Sequence, residues 1–95
     1  MSEDVKVKII RLCRQNPEYA LLLERIARLE QSGAFDHRFG WQIQDVPGLT
    51  GGHVHRLMQL GILRYDYKSN RYSHFRMIPD PQDVLEGIQI FRGLE

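Results

Sequence analysis

The chain has 95 residues, 42% of them hydrophobic and 26% charged. That suffices for one small globular domain with a modest core, and it excludes a catalytic fold with its own cofactor domain. Thirteen Lys and Arg against twelve Asp and Glu leave a formal charge of +1, which excludes a strongly basic nucleic-acid coat or an acidic tail.

No apolar run approaches the roughly 18 residues of a membrane-spanning helix, so no membrane partner is expected. The single cysteine, Cys13, rules out an intrachain disulfide framework. It falls inside an apolar helical pattern and reads as a buried thiol. The first ten residues, MSEDVKVKII, carry acids where a secretory signal wants basic residues, so an intracellular, cytoplasmic setting is expected.

Residues 3–15 repeat apolar side chains at Val5, Ile9, Leu12 and Cys13, the period of an amphipathic helix. Ser2 is the expected N-cap, with Glu3 and Asp4 in the first turn, where the helix dipole favours acids. Asn16-Pro17 interrupts the pattern. A second helix over 17–32 follows, with Tyr19, Leu22, Leu23, Ile26 and Leu29 on one stripe and Gly33 as its stop. Residues 34–36 read as a short extended segment. A third helix is expected over 37–46, capped by Asp36, with Phe39, Ile43 and Val46 inward and Pro47 ending it. Thr50 caps a fourth helix over 51–60, with Val54, Leu57, Met58 and Leu60 inward. Two strands around a turn span 62–78. Asp80-Pro81 starts a last helix over 81–92, with Val84, Leu85, Ile88 and Phe91 inward.

The hairpin register can be argued from burial. An odd-numbered loop places Leu63, Tyr65 and Tyr67 on one face with Phe75 and Met77. An even loop would set Tyr65 beside His74 and Leu63 beside Arg76. The odd loop is preferred, built from Lys68, Ser69 and Asn70 with Asn70 left-handed. Arg64, Asp66, Tyr72, His74 and Arg76 then lie on the exposed face, and Tyr65, Tyr67 and Phe75 are expected to be buried.

Residues 41–50 (WQIQDVPGLT), 51–63 (GGHVHRLMQLGIL) and 64–77 (RYDYKSNRYSHFRM) together resemble the winged helix-turn-helix family as first helix and turn, second helix and wing. The cadence Leu57, Leu60, Gly61, Ile62, Leu63 is the most characteristic piece, because Gly61 lets a helix turn abruptly into a strand. The likeness covers about 40 residues directly. It implies a mostly α fold with a small β-hairpin wing: an α+β domain of about five helices and a two- or three-stranded antiparallel sheet, spanning 1–95. Such folds often bind DNA, and others bind proteins or serve within helicases and ATPases.

With Val54, Leu57 and Met58 inward, the outer face of the fourth helix holds Gly51, Gly52, His55, Arg56 and Gln59. Arg56 suits a guanine edge or a phosphate, and Gln59 an adenine edge. Thr50, Gly51 and Gly52 form a helix start with little bulk, where backbone N–H groups approach a phosphate. Lys68 and Arg71 flank the hairpin tip, and Arg64 and Arg76 lie on its exposed face. The competing readings are plain: a loose turn end for Gly51-Gly52, a solvated helix face for Arg56 and Gln59, and an ordinary polar loop for residues 68–70. Trp41 is out of step with Phe39 and Ile43, so partial exposure is expected, which would favour a protein interface.

The chemical motifs of an enzyme are not found. His53 and His55 diverge on a helix and lack a cysteine or acidic partner, so no metal site or cofactor is expected. Neither GxxxxGK[ST] nor GxGxxG occurs. The leading reading is a non-catalytic module for double-stranded DNA, probing with 50–59 and 68–71, such as a transcriptional regulator. The alternative is a winged-helix protein-interaction or accessory module of a larger helicase or ATPase. Pairing of two copies through the first or last helix belongs with either. The net charge conceals a polarity: residues 49–78 hold five Lys/Arg and one acid, a net of +4, and the remaining residues are net −3.

Overall fold

A computed structural model describes residues 4–33, 35 and 39–94. The fold is α+β, with four α-helices and one antiparallel hairpin among those residues. In chain order these are α1 (Val5–Gln15), α2 (Glu18–Ser32), α3 (Gly51–Gln59), β1 (Leu63–Lys68), β2 (Ser73–Met77) and α4 (Pro81–Leu94), with a single 3-10 turn at Ile43–Asp45 before α3. The expected roles of Ser2 and Glu3 in the first turn, the extended segment through Ala34 and Asp36, and the Asp36 cap with His37 after it lie outside the described residues.

α1 starts later than the periodicity suggests. Asp4 is its N-cap rather than a first-turn acid, and its carboxylate accepts from the Lys6 backbone N–H at 2.8 Å. Ile9, Leu12 and Cys13 are buried along it. The stripe of α2 is buried at Tyr19, Leu22, Leu23 and Ile26. α4 begins at Asp80-Pro81 as its cap chemistry dictates, with Asp80 Oδ1 accepting from the Gln82 N–H at 2.9 Å. It runs through Gly93 to Leu94, past the stop expected at Arg92. α1 and α4 approach closely because residue 87 has no side chain: a Cβ there would stand 3.1 Å from the Cβ of Ile9.

α4 is also tied to α2. Glu24 takes two hydrogen bonds from Arg92, at 3.1 and 3.3 Å, and one from Arg28 at 3.2 Å. These hold the Glu24 carboxyl below its ordinary range, the Arg92 bond contributing most. A depressed folded pKa stabilises above the unfolded value and stops doing so as pH falls through the folded one. Glu24→Gln is therefore expected to cost about 0.5 kcal/mol at neutral pH, and nothing in strong acid. Urea unfolding at the two conditions checks this.

The helix expected over 37–46 is absent from its described part. Gly40 has φ +111°, and Trp41 pairs with Phe75 as an extended bridge, its N–H donating to the Phe75 carbonyl at 3.1 Å and its carbonyl accepting from the Phe75 N–H at 2.7 Å. A Cβ on residue 40 would lie 2.5 Å from the Phe75 carbonyl oxygen, so this approach needs glycine. Only the 3-10 turn remains of the helix. β2 consequently lies between β1 and the Trp41 segment.

The hairpin satisfies the burial argument at its base and departs from it toward its tip. Leu63 pairs with Met77 and Tyr65 with Phe75. A bulge at Asp66 then shifts the register, so that Tyr67 opposes His74 and Lys68 opposes Ser73. The loop is residues 69–72. Ser69 shapes it: its N–H donates to the Tyr72 carbonyl at 2.8 Å, and its hydroxyl accepts from the N–H groups of Arg71 and Tyr72 at 3.3 and 3.1 Å. Asn70 is not left-handed, because that hydroxyl closes the turn without it.

The core runs through Ile9, Leu23, Ile26, Trp41, Leu57, Ile62, Leu63 and Ile88, all almost fully buried. Trp41 is 0% exposed, against the partial exposure expected of it. Its indole N–H donates to Glu30 Oε1 at 3.0 Å, and the same oxygen accepts from the Met77 backbone N–H at 3.1 Å. A carboxylate on α2 thus ties the Trp41 segment to the end of β2.

Candidate nucleic-acid interface

The turn before α3 is held from below. Arg25 on α2 donates from Nη1 to the Pro47 carbonyl at 2.6 Å, and Val46 and Leu49 are buried on either side of it. Thr50 and His53 then cap α3 reciprocally. Thr50 Oγ1 accepts from the His53 N–H at 3.3 Å, and His53 Nδ1 accepts from the Thr50 N–H at 3.1 Å. The imidazole also meets the ring of Tyr19 edge-on at 5.3 Å, which seats the start of α3 on α2. Val54 and Leu57 are buried, while Gly51, Gly52, His55, Arg56 and Gln59 are exposed along the other side.

Arg56 is not isolated on that side. It borders a shallow groove of about 130 Å³ with Lys8, Arg11 and Gln15 of α1 and Leu60. Lys8 donates from Nζ to the Leu60 carbonyl at 3.0 Å and so satisfies the carboxyl end of α3. Burial pushes the Tyr19 hydroxyl pKa up and Glu18 adds to it, while the nearby Arg56 charge opposes them. Lys8 and Arg11 were missed by sequence reasoning, which read α1 only for its apolar stripe. Their spacing shows that they share a helix face; that this face borders α3 follows only from packing.

The hairpin cations divide into two kinds. Lys68 and Arg71 are exposed, and Lys68 Nζ sits 4.9 Å from the centre of the Tyr65 ring. Arg64 is exposed but bound to Asp66, Nη1 to Oδ1 at 3.0 Å. Arg76 is a correction to the exposed face expected of it. It is half-buried, with Nε 3.5 Å from Glu30 Oε1 and its guanidinium over the Phe35 ring at 5.3 Å. Arg64 and Arg76 are cross-strand partners. Like charges so placed repel, and each has its own carboxylate. Arg76 therefore supports the fold and is poorly placed for a ligand.

The aromatic residues exchange roles relative to expectation. Phe75 is buried, but Tyr65 and Tyr67 are 41% and 40% exposed rather than buried. Tyr72 is 55% exposed, as its position suggested. His74, expected outside, is buried among rings: Phe39 at 6.0 Å, Tyr67 at 5.8 Å and Tyr72 at 6.5 Å between centroids. The bulge at Asp66 accounts for Tyr67, which it moves off the face of Tyr65 and onto that of His74; Tyr65 keeps its pairing with Phe75 and is exposed all the same.

Comparison with protein-family models, with curated proteins and with solved structures yields no match. Among the described residues no helix is long and apolar enough to cross a membrane.

Proposed function

We propose that this chain is a non-catalytic winged-helix module that binds double-stranded DNA, with α3 entering the major groove and the β1–β2 hairpin as its wing. The reading is supported by the order of elements: helix, bridging segment, short turn, α3, hairpin, with β2 between the bridging segment and β1. One departure stands against it. The element before the α3 turn is a single 3-10 turn where the family has a helix, which weakens any backbone contact assigned to that position.

The observation that carries the reading is the juxtaposition of two exposed basic features in one continuous stretch. α3 presents Arg56 and Gln59 beside a capped, bulk-free start, and the hairpin follows at once with Lys68 and Arg71. The only acid between residues 49 and 78, Asp66, is paired with Arg64. Among the described residues no carboxylate forms an ion pair with Arg56, Lys68 or Arg71, which suits a polyanion. A nuclear magnetic resonance titration with a short blunt duplex at low salt tests it. Amide shifts are expected over Thr50–Gln59 and Lys68–Arg71. Saturating duplex that leaves both segments unmoved would overturn the reading.

A second reading, a protein-interaction or dimerising module, is favoured by the outer side of α1 and α4. Val7 and Ile10 line a groove of about 370 Å³ with Arg14, and Arg14 adjoins a second groove at Pro17, Phe91 and Leu94. Val7 and Leu94 are exposed there. This face adjoins the groove beside Arg56, with which it shares Arg11 and Gln15.

A further inference from the structure

We infer that the aromatic recess on the hairpin takes an unpaired nucleobase, so that the module prefers DNA with a single-stranded stretch beside a duplex. The inference rests on the nucleic-acid reading above and adds to it a site that duplex recognition by α3 does not use. The recess holds about 300 Å³ and is lined by Phe39, Gln42, Tyr67, Tyr72 and His74. That is the lower end of small-ligand sites and suits one planar heterocycle.

Its walls are assembled in advance. Phe39 and Tyr67 stack at 4.4 Å with 17° between their planes, which fixes the Tyr67 ring on the hairpin surface. His74 forms the buried floor. Tyr72 stands across it, its ring tilted 45° to the imidazole and more than half exposed. A base laid against Tyr72 and Tyr67 would replace water on apolar ring faces by stacking, which every base supports. Gln42 brings a side-chain amide to the edge of the recess; its Oε1 accepts from Gln44 Nε2 at 3.0 Å, and its N–H groups are donors for a heterocycle.

Charge decides the class of occupant. Arg71 precedes Tyr72 in the exposed loop, whereas Lys68 lies over Tyr65 on the opposite face of the hairpin. The one hairpin acid, Asp66, is engaged by Arg64. An aromatic recess with one exposed arginine in the adjoining loop fits a base that carries its phosphate. That ligand chemistry belongs equally to a strand end, an extruded base and a free nucleotide.

The test compares fluorescence anisotropy of the full chain with a blunt duplex, the same duplex bearing a short oligo-dT overhang, and free oligo-dT, with AMP and an oligo-glutamate peptide as competitors. The overhang is expected to tighten binding about tenfold over the blunt duplex. Tyr72→Ala should abolish that advantage and leave blunt-duplex binding unchanged, and Tyr72→Phe should keep it, since stacking needs the ring and not the hydroxyl. Tyr72 lies in the exposed loop, so its removal leaves the core intact. Competition by AMP would support the recess with a free nucleotide as the source, and competition by oligo-dT alone would assign it to strands. Equal affinity for blunt and overhang duplexes, or an advantage that survives Tyr72→Ala, would overturn the inference while leaving the duplex reading in place. Tyr72-dependent binding of oligo-dT without blunt-duplex binding would support the recess and overturn the duplex reading. Tyr72-dependent binding of the peptide in place of any oligonucleotide would overturn both.

Discussion

Trp41→Ala is expected to leave the chain largely unfolded at room temperature. Removing a fully buried tryptophan costs about 3–5 kcal/mol. The whole stability of a domain is roughly 5–15 kcal/mol, with small domains toward the lower end. Here the loss is compounded. The indole packs on Phe75 at 5.5 Å, and its N–H is one of the donors that keep the Glu30 carboxylate satisfied. Trp41→Phe retains most of the apolar contact and removes only that donor. The Met77 N–H still serves the same oxygen, so this variant should lose about 1–2 kcal/mol and remain folded. Urea unfolding followed by circular dichroism separates the two variants. A midpoint for Trp41→Ala close to that of the parent would mean that the bridging segment contributes little to the fold.

Neutralising Arg56, Lys68 and Arg71 together is expected to remove most duplex affinity and, more tellingly, most of its salt dependence. Each phosphate contact contributes a slope of roughly −0.9 in log K against log salt. Three contacts then predict about a 40-fold loss of parent affinity for a fourfold rise in salt. The triple alanine variant should bind with a nearly flat salt profile. All three side chains are exposed, so thermal stability should hardly change. Anisotropy titrations across a salt series provide the measurement. A triple variant that keeps the parent slope would move the interface elsewhere, and the α1 cations beside Arg56 would then be the first residues to examine.

The local chemistry of the chain was legible where one residue type answers one physical need. Thr50 caps α3 because a β-region hydroxyl satisfies an orphan N–H, and Asp80-Pro81 starts α4 for a similar reason. The apolar stripes of α1, α2 and α4 are the buried faces that their periodicity indicates. The base of the hairpin followed the requirement that one face be buried, and Leu63, Phe75 and Met77 are. The exposed outer side of α3, with Arg56 and Gln59, follows from the same stripe logic in reverse.

Other features depend on contacts between segments far apart in sequence. The third helix was lost because Gly40 and Trp41 are drawn into pairing with Phe75, some 34 residues on, and a propensity window does not contain that partner. The Asp66 bulge overrode a sound parity argument, because one extra residue exchanges the faces of everything beyond it. Arg76 turned toward Glu30 and is half-buried, and Trp41 entered the core by giving its N–H to the same carboxylate.

The sequence by itself determined the caps at Thr50 and Asp80, the buried stripes of α1, α2 and α4, the coarse α+β class and the polarity of charge; the caps and stripes depend only on residues within a turn or two of one another. Tertiary structure alone decided which aromatic rings reach solvent, which arginines remain available and which helix shares its cations with α3. Those outcomes depend on register and on packing across the chain, and a displacement of one residue is enough to reverse them.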